Sequence, residues 1–374
     1  MSGFDVDEHA LRAYAQLLKR YAGHATDLKK YITNGGPEVG VAFVPRGTFD
    51  VYVVYRELAK VHLMHLMRAN ERLGTMVQVA EDSAENLDRA ATYYETTDEE
   101  VAAEFDRHLA GDHERDYPTG GGGEIRKDKP LEVYRKFEDN RDPADVVRKY
   151  ERTAPSVEEY YDLRQDQLVG DARWLMDHLG LTVWVRELLE EICGVDPLAV
   201  IVRYLGGDWH AWYEATCVWE ATGAATRTMG SNVGLRRRME WYWHGVAADT
   251  AQGYFARVEE ATHAEGDEYY DNYLVPFYRD VTRALVETYD TVNSLVNALL
   301  DTVVGIGVAK LANLVASGKA AEVVKLIRDT WDMITDRMSA FQELTKERTT
   351  AHLGDEPPCD MESLKRYVHP VHAK

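Results

Sequence analysis

Hydrophobic positions in the first hundred residues fall into two long periodic runs. Leu11, Tyr14, Leu18, Tyr21, Ala25, Leu28 and Ile32 recur at steps of three and four, the spacing that lines one face of an α-helix. Asn34-Gly35-Gly36-Pro37 ends this run, because glycine permits a left-handed cap and proline cannot continue a helix. A second run follows through Leu66, Ala69, Leu73, Met76, Ala80, Ser83, Leu87, Ala90 and Tyr94 with the same spacing. A helix of about 45 residues there would be on the order of 65–70 Å long. Two seams joined by a short connection predict an antiparallel helical hairpin over residues 1–108. Residues 39–54, rich in valine and aromatics, are the one stretch with strand character.

The periodicity then lapses. Residues 109–167 contain four consecutive glycines, Gly120 to Gly123, among dense charge, and read as a flexible linker with short helices. Breaks are expected at Asp142-Pro143 and Ala154-Pro155. Helical patterning returns over 168–348. Asp208 is placed to cap a helix whose apolar face carries Trp209, Trp212, Thr216, Trp219 and Gly223. A third seam, Ala247, Ala251, Tyr254, Val258 and Ala261, follows Trp243-His244-Gly245. Interruptions are expected near Pro276 and Gly305, and residues 349–374 read as an unpacked tail. The fold class is all-α: elongated hairpins forming a four-helix-bundle-like assembly, with further helices after them.

Composition narrows the functions. Lys and Arg total 43 against 64 Asp and Glu, a net charge of −21. Such a surface repels nucleic acid and anionic lipid headgroups. Three cysteines, none in a CxxC pair, offer neither a disulfide framework nor a zinc site. The N-terminus lacks the cationic and apolar regions of a signal peptide. The most apolar stretch, residues 292–317, is interrupted by Asp301 and Lys310 and does not read as a membrane span.

The helix opened by Gly206-Gly207-Asp208-Trp209, the Trp243-x-Gly245 turn and the VAADTAQGYFARV helix together resemble the WXG family of helical hairpins exported by type VII (ESX) systems of actinobacteria. The likeness covers roughly residues 194–290. Residues 4–105 resemble the related EspC-like hairpins, whose second helix ends in Tyr-x-x-x-Asp, here Tyr94 and Asp98. The first block has no Trp-x-Gly and the second no convincing Tyr-x-x-x-acid, so each carries half of the usual pair.

The resemblance implies a secretion signal at Tyr94/Asp98 and a turn motif at Trp243/Gly245. It also implies signal-peptide-independent export to the cell surface or medium, with the secretion motor ATPase and either a hairpin partner or a second copy as partners. Gly245 would permit the tight turn while Trp243 covers the last core layer. In the family, the tyrosine arm of one hairpin lies beside the tryptophan turn of another. Tethering both in one chain raises their effective concentration to roughly millimolar. The expectation is that hairpin 4–105 packs antiparallel on helices 205–290, with Tyr94 near Trp243.

Little points to chemistry, and no catalytic, cofactor-binding or metal-ligating residue is assigned. His108 and His113, with Asp106 and Asp112, are spaced too irregularly to share a helix face. His62 and His65 could share a ligand but are expected at the edge of a core. Gly305-Ile306-Gly307 lacks the third glycine of a dinucleotide loop. Arg236-Arg237-Arg238 is expected to serve a helix end or a local acidic neighbour. The readings left open beside an exported interaction protein are a membrane-active helical protein using residues 292–317, a cytoplasmic scaffold or chaperone, and a helical metal enzyme around His62 and His65.

Overall fold

The computed structural model describes residues 5–35, 52–97, 101–102, 125–153, 183–207 and 209–307, a few positions between 310 and 318, and residues 320–354. The fold is all-α. Helix α1 (Glu8–Lys30) opens at Asp7, whose carboxylate accepts the His9 N–H at 2.9 Å. Glu8 in its first turn and Lys29 and Lys30 in its last complement the helix dipole. A wide turn, Tyr31–Gly35, follows it. Helix α2 (Val53–Thr96) runs unbroken for 44 residues. Every seam residue of the first run, Leu11 through Ile32, is buried. On α2, Ala69, Leu73, Met76, Ala80, Ser83, Leu87 and Ala90 are buried as well, and α1 lies along them. Burial of one such leucine contributes about 1.5–3 kcal/mol, and the small residues between them let the two axes approach.

The short helices α3 (Pro130–Lys136) and α4 (Pro143–Thr153) occupy the region read as a linker. They are packed: Val133 and Phe137 are fully buried, and the Phe137 ring meets Tyr14 edge-on at 5.8 Å. The glycine run, Ala154-Pro155, His108 and His113 lie outside the described residues. After them come α5 (Val183–Cys193), α6 (Pro197–Leu205) and α7 (Trp209–Val233), then a 3₁₀ stretch, Gly234–Trp241. Asp208 is not described. Next are α8 (Val246–Ala264), a ten-residue π-helical segment (Glu265–Leu274) and α9 (Val275–Ile306) in one continuous rod. Helix α10 (Ala321–Gly354) packs back on α9 and α2. A single apolar cluster includes residues of α1 through α10, so the two hairpin regions share one core.

Three expectations are corrected. The strand character read into residues 39–54 does not extend to Val53 and Val54, which start α2, while residues 36–51 lie outside the description. The pairing present is a two-residue antiparallel bridge, β1 (Asp5–Val6) with β2 (Trp243–His244). Pro276 breaks nothing, because it sits in the first turn of α9. There π-type bonding, with the Val275 N–H on the Tyr270 carbonyl, carries the chain into the proline. Of the tail, residues 349–354 belong to α10, and the remainder is not described.

The rod α8–α9 runs antiparallel to α2 in a countable register. Tyr94 meets Trp243, Ser83 hydrogen-bonds Tyr254 at 3.3 Å, and Arg72 pairs with Glu265. Each step of eleven residues down α2 is thus matched by eleven up α8. Eleven residues make three turns at about 3.67 per turn, near the natural helical period, so the facing rows stay aligned without much supercoiling. Beyond Glu265 the phase changes: the same register would set Val275 opposite His62 and Asn272 opposite His65, but Tyr278 meets both. The π segment, with more residues per turn, accounts for the offset.

Candidate functional site

The first candidate is the Trp-x-Gly corner. Gly245 has φ 126° and ψ 179°, a conformation essentially restricted to glycine, and it leads directly into α8. That turn seats Trp243 with only 2% of its surface exposed. The Tyr94 ring lies 6.3 Å from the indole, edge to face. The expected juxtaposition of the two aromatic groups is therefore present, at the end where α2 stops. Asp98 lies outside the described residues.

Two other segments brace the corner. Asp7 donates its N–H to the Tyr242 carbonyl at 2.7 Å, and Arg126 donates its own to the Trp241 carbonyl at 2.7 Å. The Tyr242 hydroxyl donates to Asp128 at 2.6 Å, which with Arg126 holds that carboxyl below the usual range. Arg12 bridges to Glu95 at 2.5 Å and Lys19 to Asp88 at 2.6 Å along the α1–α2 rim. Trp241 remains 43% exposed beneath the Arg126 guanidinium, an aromatic surface beside the buried one. As expected, the basic run finds a local acidic neighbour, Glu259, which Arg236 and Arg237 both reach, while Arg238 donates to the Lys136 carbonyl.

The second candidate lies toward the opposite end of α2. His62 and His65 are fully buried, not at a core edge as the sequence reading expected. Their Nδ1 atoms lie 2.7 and 3.2 Å from one hydroxyl, that of Tyr278. A phenol has one hydrogen, so it can donate to only one imidazole, and the other must donate to it. At least one of the two imidazoles therefore carries its proton on Nδ1 and donates to the Tyr278 oxygen. His65 Nε2 is shielded from water and without a hydrogen-bond partner among the described residues. Burial lowers the His62 pKa to about 3 and holds His65 well below its ordinary value.

Aromatic rings wall this cluster: Trp212 lies 4.6 Å from Tyr278, and Phe277 lies 5.4 Å from His65. One α2 step away, Arg72 forms a two-pronged pair with Glu265, a carboxylate with no exposed surface, and covers the Tyr269 ring at 4.4 Å. The segment reaches α7 closely. A Cβ on Gly223 would come within 2.5 Å of Asp271, and one on Gly266 within 2.8 Å of the Gly223 carbonyl.

Sequence reasoning singled out His62 and His65 but missed Tyr278, Glu265, Arg72 and His352, the last having been assigned to the tail. The signal available was the aromatic and acidic density of EGDEYYDNYL, which no helical seam accommodates.

Among the described residues, no group of three or more His, Cys, Asp or Glu side chains is arranged to hold a metal, and no helix is long and apolar enough to cross a membrane. A cavity of about 490 Å³ between α4 and α7 is lined by Arg141, Lys149 and Arg227, but Arg227 is already paired with Asp267 and Asp271. Compared with protein-family models, curated proteins and solved structures, the chain matches none.

Proposed function

We propose that this chain is an exported helical protein of the type VII (ESX) kind, acting through protein–protein contact or self-assembly rather than catalysis. The observation that carries the reading is the seating of Tyr94 against Trp243 at 6.3 Å. In the hairpin proteins that the sequence resembles, the tyrosine arm and the tryptophan turn come from paired hairpins; here one chain supplies both. A tether holds the two at high effective concentration, so the pair forms without a separate partner. The Tyr94 ring is half-buried, leaving part of it on the surface. An aromatic edge of this kind is a surface that a motor ATPase can grip, with Asp98 the acidic member that the resemblance implies.

The test is a blot of culture supernatant from the host strain and from one lacking the ESX motor ATPase. The protein is expected in the first supernatant and absent from the second. Asp98→Ala should cut export at least tenfold while the cell-associated level holds. Equal amounts in both supernatants, or none in either, defeat the proposal. Tyr94→Ala is the harsher variant, because it also removes the contact with Trp243.

A further inference from the structure

The C-terminal turns of α10 rest on the histidine cluster. His352 packs over Phe277 and Tyr273 at 4.3 and 4.4 Å and meets the edge of His65 at 5.5 Å. Its carbonyl accepts from the Tyr273 hydroxyl at 3.0 Å and from Arg68 at 3.5 Å. His65 therefore has Tyr278 on one side and this single turn of α10 among the groups that keep water out. We propose that residues 345–354 of α10 are an acid-releasable clasp: a proton taken up at His65 cannot be accommodated while His352 is seated, so acidification lifts the end of α10 and leaves the rest of the bundle folded.

The surroundings argue for it from every side. On α2 the titratable or charged neighbours of His65 are His62 and Arg68. The π segment contributes the Tyr273 phenol, α9 the Tyr278 phenol and α10 His352. After burial itself, the groups acting on His65 are His352, His62 and Arg68, and all three disfavour a second positive charge. His65 Nε2 has no hydrogen-bond partner among the described residues, and none of the groups acting on His65 is acidic. His62 is buried among Trp212, Trp219 and Tyr278 of α7 and α9.

With the open form titrating near the ordinary histidine value of about 6.5, the opening equilibrium rises about tenfold for each pH unit below it. Above that value no gain is expected, because neither form is protonated. The inference does not depend on export and fails or stands separately from it.

The test is amide hydrogen exchange of the full chain between pH 7.5 and 5.0, with labelling times scaled for intrinsic rates. Protection of residues 345–354 should fall about tenfold per unit below pH 6.5, while residues 10–28 of α1 keep theirs. In His65→Gln, which can still donate to Tyr278 but cannot be protonated, the pH dependence of residues 345–354 should vanish. Should that variant fail to fold, His65→Phe serves in the same assay. A pH-independent clasp, the same loss in the variants, or simultaneous loss in α1 overturns the proposal.

Discussion

The two ends of α2 solve the same problem with different chemistry. At Tyr94, about 48 Å along the axis from His62 at 1.5 Å per residue, the contact is ring against ring, braced by backbone hydrogen bonds and ringed by exposed ion pairs. At His62 and His65 the same helix enters a core in which two imidazoles share one phenol and a guanidinium–carboxylate pair lies one step away. An apolar contact is tolerant, losing energy in proportion to the area removed. A desolvated polar cluster fails abruptly when one member is missing or gains a proton.

The largest expected effect breaks the polar end outright. Arg72→Met strips Glu265, whose side chain has no exposed surface, of its guanidinium, at a cost of about 3–5 kcal/mol. Replacing both residues with methionine should recover most of it, since the desolvation of two charges is no longer required. Urea midpoints of the single and double variants decide the matter: equal loss in both means that packing and not charge holds the site.

Acid sharpens the contrast. The His62 pKa is depressed by burial from its unfolded value to about 3, so the stability it contributes is complete above pH 6.5 and declines below. In that window the unfolded chain binds a proton that the native core refuses, costing about 1.4 kcal/mol per pH unit from this residue. Between pH 6.5 and 5.0 unfolding free energy should drop by about 2 kcal/mol more in the wild type than in His62→Phe. Parallel curves for the two proteins remove the imidazole from the explanation.

The smallest effect belongs to the apolar end. Tyr94→Leu retains bulk and loses the edge-to-face contact with Trp243, which contributes about 0.5–1.5 kcal/mol beyond burial. Thermal unfolding at pH 7.5 and 5.5 should show the same modest decrease at both values. A pH-dependent loss would mean that the two ends communicate along α2.

Much of the framework is legible in the residue pattern. The seams Leu11–Ile32 and Ala69–Ala90 read directly as buried faces, because a helix against one neighbour repeats its contacts every three or four residues. The indole-glycine corner is legible too, since Trp243 and Gly245 act locally: one fills a layer, the other permits a backbone angle. What escapes the pattern depends on partners far apart in the chain. Nothing near His62 announces Tyr278, and nothing near Glu265 announces Arg72; these are met only once α8 lies against α2. Residues 125–153 show a related limit. The pattern predicts short helices there, and α3 and α4 form, but it does not announce that Val133 and Phe137 are taken up by the core. Asp98, half of the signal that the resemblance suggests, lies outside the described residues.

The π segment between α8 and α9 works as a vernier. Up to Glu265 the rod and α2 advance in equal strides; after Leu274 the rod presents a different face to its neighbour with no break in the helix. All that lies downstream inherits the new azimuth, including the face of α9 that offers Tyr278 and the shelf on which α10 comes to rest. Ten residues thereby dictate how the last quarter of the molecule is aimed, whatever the hairpins before them do.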